Sequence, residues 1–322
     1  MKQSVTIGIA AHNEQSNIEN LITFIINNRL KYINIKEIIV VSDGSTDNTN
    51  NILNKVKKKF SKSRIKLLFF IEKKRKGKIS AINRMLKEAT TDIFILESAD
   101  TLPDKKAYYN LVKPLIKDNS IGITASRIIP IIDKELIHKL EPKNKQSKFK
   151  RIKLSFPEFF AIFLYRLHNN VSEIKVKFGE MIAFRKIFSK IELNSVDEEY
   201  IAFKVLNQGY EAEYCKNAIV YNIPPKSIRE ISLQRRRIFC GHIELQKKHK
   251  YVASSVSLKN LFKALLKEKK LIIKHPCFSL LSILFEIYIR ILAVIDYITN
   301  KKKHYLWEIA KTTKLDIVSI NQ

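Results

Sequence analysis

Apolar and polar positions in the first half of the chain alternate between two rhythms. Short unbroken apolar runs read as strands buried on both faces, and between them apolar residues recur at helical spacing. Val5–Ala11 opens as a strand, and Ile18, Leu21, Ile22, Ile25 and Ile26 then mark one face of a helix over about Ser16–Asn27. Ile38–Val41 is a run of β-branched residues that passes straight into Asp43-Gly44-Ser45-Thr46-Asp47. A helix follows from Thr46 or Asp47 to about Phe60, then a strand over Ile65–Ile71 that ends in the basic loop Glu72–Lys78. Ser80–Ala89 is helical, and Asp92–Leu96 is a fourth strand with the polar tip Glu97–Pro103. This alternation predicts a parallel α/β sheet, and it puts Asp43 at the carboxyl edge where such sheets bind ligands.

The second half is less regular. Lys143–Lys153 is a basic connector expected to be a mobile loop, and Phe156–His168 an aromatic-rich helix. Phe178–Arg185 reads as a strand entered through Gly179, Asp197–Tyr200 opens a helix closed by Gly209, and Ala212–Tyr221 is a last strand. Pro224-Pro225 closes this domain, which predicts a boundary between residues 1–225 and a basic helical region, 226–322. The apolar segment 276–298 is long enough to cross a bilayer, yet it carries Glu286, Arg290 and Asp296, which are costly in hydrocarbon. Lysines precede it at 267–274 and follow it at 301–303, so flanking charge assigns no orientation. A helix lying on an anionic membrane surface satisfies both facts better than a span; the competing reading is a buried helix of a soluble domain.

Composition sharpens the choice of partner. The 322 residues are 45% hydrophobic, enough for a real core, and 59 Lys and Arg against 31 Asp and Glu leave a net charge of +28. Such charge favours phosphates, acidic lipid or nucleic acid. Cys215, Cys240 and Cys277 are odd in number and widely spaced, so they are expected as buried thiols in a reducing compartment. The N-terminus enters a strand with no signal-peptide pattern, which predicts a cytoplasmic start.

The chain contains no G-x-G and no phosphate-binding loop of the G-x-x-x-x-G-K-[ST] type. An α/β sheet lacking both handles phosphate another way, and a carboxylate-held Mg²⁺ or Mn²⁺ bridging to a diphosphate is the natural substitute. Asp100 is the best candidate ligand, with Asp43 and Asp47 at another strand tip, and Lys78 and Arg75 in a neighbouring loop complete a diphosphate site. The plain alternative for each acid is a turn or helix-cap residue.

Several motifs, taken in order, carry a family resemblance. They are Ala-Ala-His-Asn-Glu (10–14), Val-Val-Ser-Asp-Gly-Ser-Thr-Asp (40–47), Gly-Lys-x-Ser-Ala-x-Asn (77–83), Ser-Ala-Asp (98–100), Gly-Glu-Met-x-Ala-Phe-Arg (179–185), Asp-Glu-Glu (197–199) and Gln-x-x-Arg (234–237). Over residues 4–240 the chain resembles the family 2 glycosyltransferases of GT-A fold. The resemblance implies a Rossmann-like, mixed but mostly parallel sheet flanked by helices, with the C-terminal helical, membrane-associating region appended. It also implies that Ala11, His12 and Glu14 hold the nucleoside, Asp43 reads the base, Lys78 and Ser98 lie on the donor, and Asp100 binds the metal. Gly179 and Glu180 line the sugar and acceptor pocket, and Glu198 stands at the catalytic base position, with Asp197 and Glu199 competing. Gln234, Arg236 and Arg237 belong to the motif that closes on the diphosphate. Two departures stand out: Ser98 replaces the first acid of the usual Asp-x-Asp, leaving Glu97 as a possible helper, and Ile238 replaces the Trp of processive members.

The implied activity is inverting transfer of a sugar from a nucleotide-diphosphate donor, a UDP-sugar, to a lipid-linked or glycan acceptor at the cytoplasmic side of a membrane. The competing readings are a nucleic-acid-binding protein, motivated by the charge, and an inactive transferase-like membrane scaffold, motivated by Ser98. The basic runs lack aromatic interleaving and any reader motif, so no nucleic acid is expected.

Overall fold

A computed structural model describes residues 2–28, 30, 32–132, 154–299 and 313; the connector at 143–153 and the lysines at 301–303 lie outside them. The first half alternates β1 (Gln3–Ala11), α1 (Ile18–Asn27), β2 (Ile33–Asp43), α2 (Thr49–Lys59), β3 (Lys66–Glu72), α3 (Lys78–Glu88) and β4 (Ile93–Ser98). These strands lie in the order β3-β2-β1-β4, all parallel. Successive residues of β2 serve opposite cores, as a doubly covered strand requires. Ile38 and Val40 pack with Val5, Ile7, Ile9 and the inner faces of α1 and α2, whereas Ile39 and Val41 pack with Met85, Phe94 and Leu96.

Between residues 101 and 130 the chain forms β5 (Thr101–Pro103), α4 (Ala107–Lys117) and β6 (Ile121–Pro130), none of which the periodicity singled out. Pro114 sits inside α4, and a proline there reads from sequence as a helix breaker. Tertiary burial of Tyr108, Leu111, Val112 and Leu115 against the sheet overrides it.

After α5 (Phe156–Ser172), β7 (Met181–Arg185) enters between β4 and β6 and runs antiparallel to both. α6 (Asp197–Leu206) and β8 (Glu211–Asn222) follow, and β8 pairs parallel with β6 and antiparallel with β5. The eight-stranded sheet is therefore mixed, not parallel throughout, as the GT-A resemblance implied.

Residues 228–299 carry the helices α7 (Ile228–His249), α8 (Leu258–Lys267), α9 (Lys269–Lys274) and α10 (Pro276–Thr299). By length and composition α10 is apolar enough to cross a membrane, but its acids turn inward onto α7. Arg235 donates to both oxygens of Glu286, at 2.6 and 3.2 Å, and Arg290 joins the same carboxylate at 3.0 Å. Arg236 forms a second two-point pair with Asp296. Rings of Phe156 and Phe160 on α5 meet Phe285 at 5.8 and 5.1 Å. The opposite face of α10 exposes Leu280, Leu284, Ile287, Tyr288, Ile291, Ile295 and Ile298. The charges that argued against hydrocarbon thus belong to the protein side of the helix. Of the thiols, Cys215 and Cys240 are buried as expected, but Cys277 at the start of α10 is exposed.

Glu286 and Arg235 are each less than one-fifth exposed, so Glu286→Ala strands two arginines at an interior seam and is expected to cost about 2–4 kcal/mol. Glu19→Ala removes only a solvent-exposed partner of Lys59 and is expected to stay within about 0.5 kcal/mol. Chemical denaturation of both variants checks the contrast.

Candidate active site

The tips of β1, β2 and β4 meet at one edge because those strands are neighbours in register, with Ala11 opposite Ser42 and Ala10 opposite Ser98. The two loops that leave this edge are knitted together. His12 Nδ1 lies 2.7 Å from the Asp43 carbonyl, Asn13 accepts from the Thr46 amide at 2.8 Å, and the Glu14 amide donates to Thr49 at 2.8 Å. Asn13 takes the left-handed conformation that asparagine tolerates best after glycine. Asp47 accepts from the amides of Gln15 and Thr49, so it serves the turn and the helix cap and is not among the residues that line the cleft.

Asp43 is 5% exposed, and its two oxygens accept the backbone amides of Lys76 and Gly77, each at 2.7 Å. The carboxylate therefore pins the basic loop against the sheet. Gly44 makes this approach possible, since a Cβ there would lie 2.4 Å from the Arg75 amide nitrogen. Gly77, at φ +94°, turns the loop into α3, so Lys78 stands in the first helical turn rather than in a loop.

From that position the Lys78 ammonium reaches Asp197 Oδ2 at 2.7 Å and Glu198 Oε1 at 2.6 Å. Burial alone would lower the lysine's pKa, but the two acids hold it well above its ordinary value. Burial and the neighbouring Glu198 push Asp197 up to about 6, against the pull of Lys78. Burial works to raise Glu198 as well, but Lys78 outweighs it and keeps this acid below the usual range. The two acids titrate as a pair beside a lysine that stays charged. Arg237 faces the same group; burial lowers it to about 10 while Asp197, Glu198 and Glu180 oppose the fall. Glu199 faces the same cavity, but its carboxylate accepts from the Tyr251 hydroxyl at 2.9 Å and from the Phe178 amide at 3.4 Å.

Asp100 has a different neighbour from the one the sequence offered. Glu97 is fully buried beneath the sheet, where it accepts from the Tyr108 hydroxyl at 2.6 Å, so it takes no part in the cleft. Glu180 comes forward instead, held at a positive φ of 49°. Burial, reinforced by Asp100 and Glu198, pushes its carboxyl up to about 8. Among the described residues no cluster of three or more acids, histidines or cysteines forms a metal site. Two mutually repelling acids nevertheless fit a hard cation that takes its other ligands from phosphate and water. The donor set is compatible with Mg²⁺ or Mn²⁺.

Ala11, His12, Glu14, Asp43, Lys78, Ser98, Asp100, Gly179, Glu180, Asp197, Glu198, Gln234 and Arg237 all line one cavity of about 840 Å³. Arg236 does not: it points from the other side of α7 to Asp296, and Arg235 lines the cavity in its place. A helix puts neighbouring arginines on different faces, which the Gln-x-x-Arg spacing alone leaves open for the middle two. Lys177 and Tyr165 were missed. The only sequence signal for Lys177 is a cation two positions before Gly179-Glu180, and nothing marks Tyr165 apart from core aromatics.

The family model described as Glycosyl transferase family 2 matches residues 6–175, more than half of the chain. The chain belongs to glycosyl transferase family 2. A poly-β-1,6-N-acetyl-D-glucosamine synthase of Staphylococcus aureus (strain COL) is 31% identical over 120 residues, which are 37% of this chain and 27% of that protein. "Probable glycosyltransferase YdaM" of Bacillus subtilis (strain 168) is 33% identical over 124 residues, 38% of this chain and 29% of that one. The match thus spans little more than a quarter of these curated relatives. Among solved structures, the mannosyltransferase PcManGT from Pyrobaculum calidifontis, in complex with GDP-Man and Mn²⁺, superposes with a TM-score of 0.60 at 17% identity. That likeness covers 94% of this chain and 89% of the other, and it establishes the shared fold.

Lys78→Met removes the cation hydrogen-bonded to both Asp197 and Glu198 and leaves only Arg237 facing the pair, which raises both acids in the folded state. A carboxyl raised on folding stabilises below its unfolded pKa and loses that contribution as pH rises through the folded value. Since Asp197 is already at about 6 with Lys78 present, the variant is expected to lose more stability at pH 8 than at pH 5 relative to the parent. Denaturation at the two pH values reads the difference.

Proposed function

We propose that this glycosyltransferase moves a sugar from a nucleotide-diphosphate donor, a UDP-sugar, to the hydroxyl of a membrane-linked acceptor, with inversion at the anomeric carbon. The observation that carries the reading is the Asp197–Lys78–Glu198 unit, which opens into the same cavity as Asp43 and Asp100. A family resemblance alone would not bring a charged acid pair to the cavity that the sheet edge lines.

In this reading the segment around His12, Glu14 and Asp43 receives the nucleoside. Asp43 does so indirectly in large part, because its oxygens already hold the loop that carries Arg75 and Lys78. Glu198 takes the proton of the attacking hydroxyl. Its side chain is 16% exposed against 3% for Asp197, so it is the acid that reaches an incoming acceptor. Asp197 keeps Lys78 in place and takes up the proton load of the pair. Arg237 and Gln234 stand on the other wall of the cavity, where a guanidinium suits the charge that develops on the departing diphosphate. A bound Mg²⁺ or Mn²⁺ at Asp100 and Glu180 would supply further neutralisation of that charge. PcManGT, whose structure contains GDP-Man and Mn²⁺, supports a nucleotide sugar and a divalent ion for this fold.

The membrane enters through α8, α9 and α10. Their exposed apolar residues are bordered by the exposed Lys259, Lys263, Lys267, Lys269, Lys270 and Lys274, a pattern suited to an anionic cytoplasmic surface. The catalytic domain then extends to about residue 225, although α7 of the helical region closes one wall of its cavity.

Glu198→Gln is expected to lower kcat by about 10²–10⁴-fold while nucleotide affinity, measured by calorimetry, stays close to the parent value. An unchanged kcat would remove Glu198 from the base role. Parent kcat/KM should fall as pH drops through about 6, where the acid pair gains its proton, and Asp197→Asn should move that limb. Thermal shift with Mn²⁺ tests the cation independently of turnover. Because Glu180 must lose a proton held at about 8, stabilisation by the ion should grow from pH 6.5 to 8.5, and Glu180→Gln should flatten the trend.

A further inference from the structure

A second cavity, about 620 Å³, lies between α5, α7, α8 and α10, and the catalytic cavity does not account for it. Its walls are hydrocarbon: Leu167, Val171, Phe239, Leu261, Leu265 and Ile283. Its inner end is not. Leu164, His168, Lys177 and Arg235 line both cavities, so the two adjoin along this seam. Its outer end is formed by Leu258, Phe262, Ile287 and Ile291, which are 79%, 63%, 50% and 55% exposed. The chamber therefore runs from the catalytic cleft to the apolar face that α8 and α10 present outward.

Charge at the seam is unbalanced. Arg235, Arg290 and Lys177 are three cations against two carboxylates: Glu286, shared by both arginines, and Glu199, which acts on Lys177 but is already held by the Tyr251 hydroxyl. The Lys177 ammonium makes no salt bridge among the described residues. Burial, with Arg235 beside it, lowers its pKa to about 8, against the pull of Glu199 and Glu286. Half-buried cations in excess call for an anion, and the walls beyond them call for an alkyl chain. One molecule meets both demands if it is an amphiphile with a phosphate at the junction.

We propose that this chamber holds the hydrocarbon chain of a phosphate-headed membrane lipid, with the phosphate at the seam against Lys177 and Arg235. Resting on the transferase reading above, this lipid is the anchor of the acceptor: the chain leaves toward the bilayer between α8 and α10, and the group beyond the phosphate extends into the cleft toward Glu198. A fatty acid or detergent lacks the phosphate that the seam selects. A second copy of the chain would have to thread a side chain between two helices.

The test is direct binding to the full-length chain in nonionic-detergent micelles, with hexadecyl phosphate, hexadecanol and inorganic phosphate as probes. Hexadecyl phosphate is expected to bind about tenfold or more tighter than either other probe, the margin of a charge-assisted contact added to chain burial. Leu261→Trp and, from the opposite wall, Ile283→Trp should each weaken it by a similar factor, and Lys177→Met should abolish the preference for the phosphate over the alcohol. Melting temperature and nucleotide binding on the same samples establish that each variant is folded. Equal affinity in the parent and both tryptophan variants overturns the proposal, as does equal affinity for hexadecanol and hexadecyl phosphate. A concentration-dependent dimer that hexadecyl phosphate fails to dissociate would assign the face to a second copy. Lipid binding without any nucleotide-sugar binding would sink the transferase reading and leave the chamber standing; the reverse result would do the opposite.

Discussion

The ammonium of Lys78, at 2.7 Å from Asp197 and 2.6 Å from Glu198, joins the first turn of α3 to the first turn of α6, some 120 residues away in the chain. Much else is arranged so that this contact can form. Asp43 grips the backbone at 76 and 77, Gly44 lets the loop come within contact of the sheet tip, and Gly77 adopts the positive φ that starts the helix at Lys78. The carboxylate at the end of β2 thereby acts at a distance, through the loop it holds. Without the lysine, two buried acids at a helix N-terminus would repel one another, and the macrodipole offers only part of the compensation.

A similar economy appears on the C-terminal side. α10 is nearly all apolar, yet each of its three charges has a partner, two of them arginines on α7. These pairs orient the helix, because rotating it would carry Glu286 and Asp296 into the apolar face and leave Arg235 and Arg236 unpaired. With the charges facing inward, the opposite face is free to be hydrocarbon throughout. The seam that fixes α10 is also the boundary between the cleft at the sheet edge and the chamber behind it. Arg235 lines both, so the group that anchors the helix is shared with the site.

Much of the Rossmann-like half was legible in residue pattern. The β1–β4 strands and their helices follow from apolar runs and helical spacing, since burial on two faces leaves a strong and local signature. The polar tips of β1, β2 and β4 could be placed at one edge for the same reason. The segment from β5 to β6 was not legible: Pro114 interrupts the helical pattern, and burial of the surrounding side chains decides the outcome. Whether Glu97 helps Asp100 was left open by the residue pattern; strand alternation sends it beneath the sheet to Tyr108, while Glu180 arrives at the entry of β7.

What the chain's own order of residues determined, then, is a doubly covered parallel core, the acids at its carboxyl edge and an apolar C-terminal helix, all consequences of local periodicity. Which acids meet was decided only in three dimensions. The antiparallel entry of β7 brings Glu180 to Asp100, the turn at Gly77 brings Lys78 to Asp197 and Glu198, and the handedness of α7 sends Arg236 away while keeping Arg235 and Arg237 at the cavity. Such pairings join residues far apart in the chain, and no spacing within a single element encodes them.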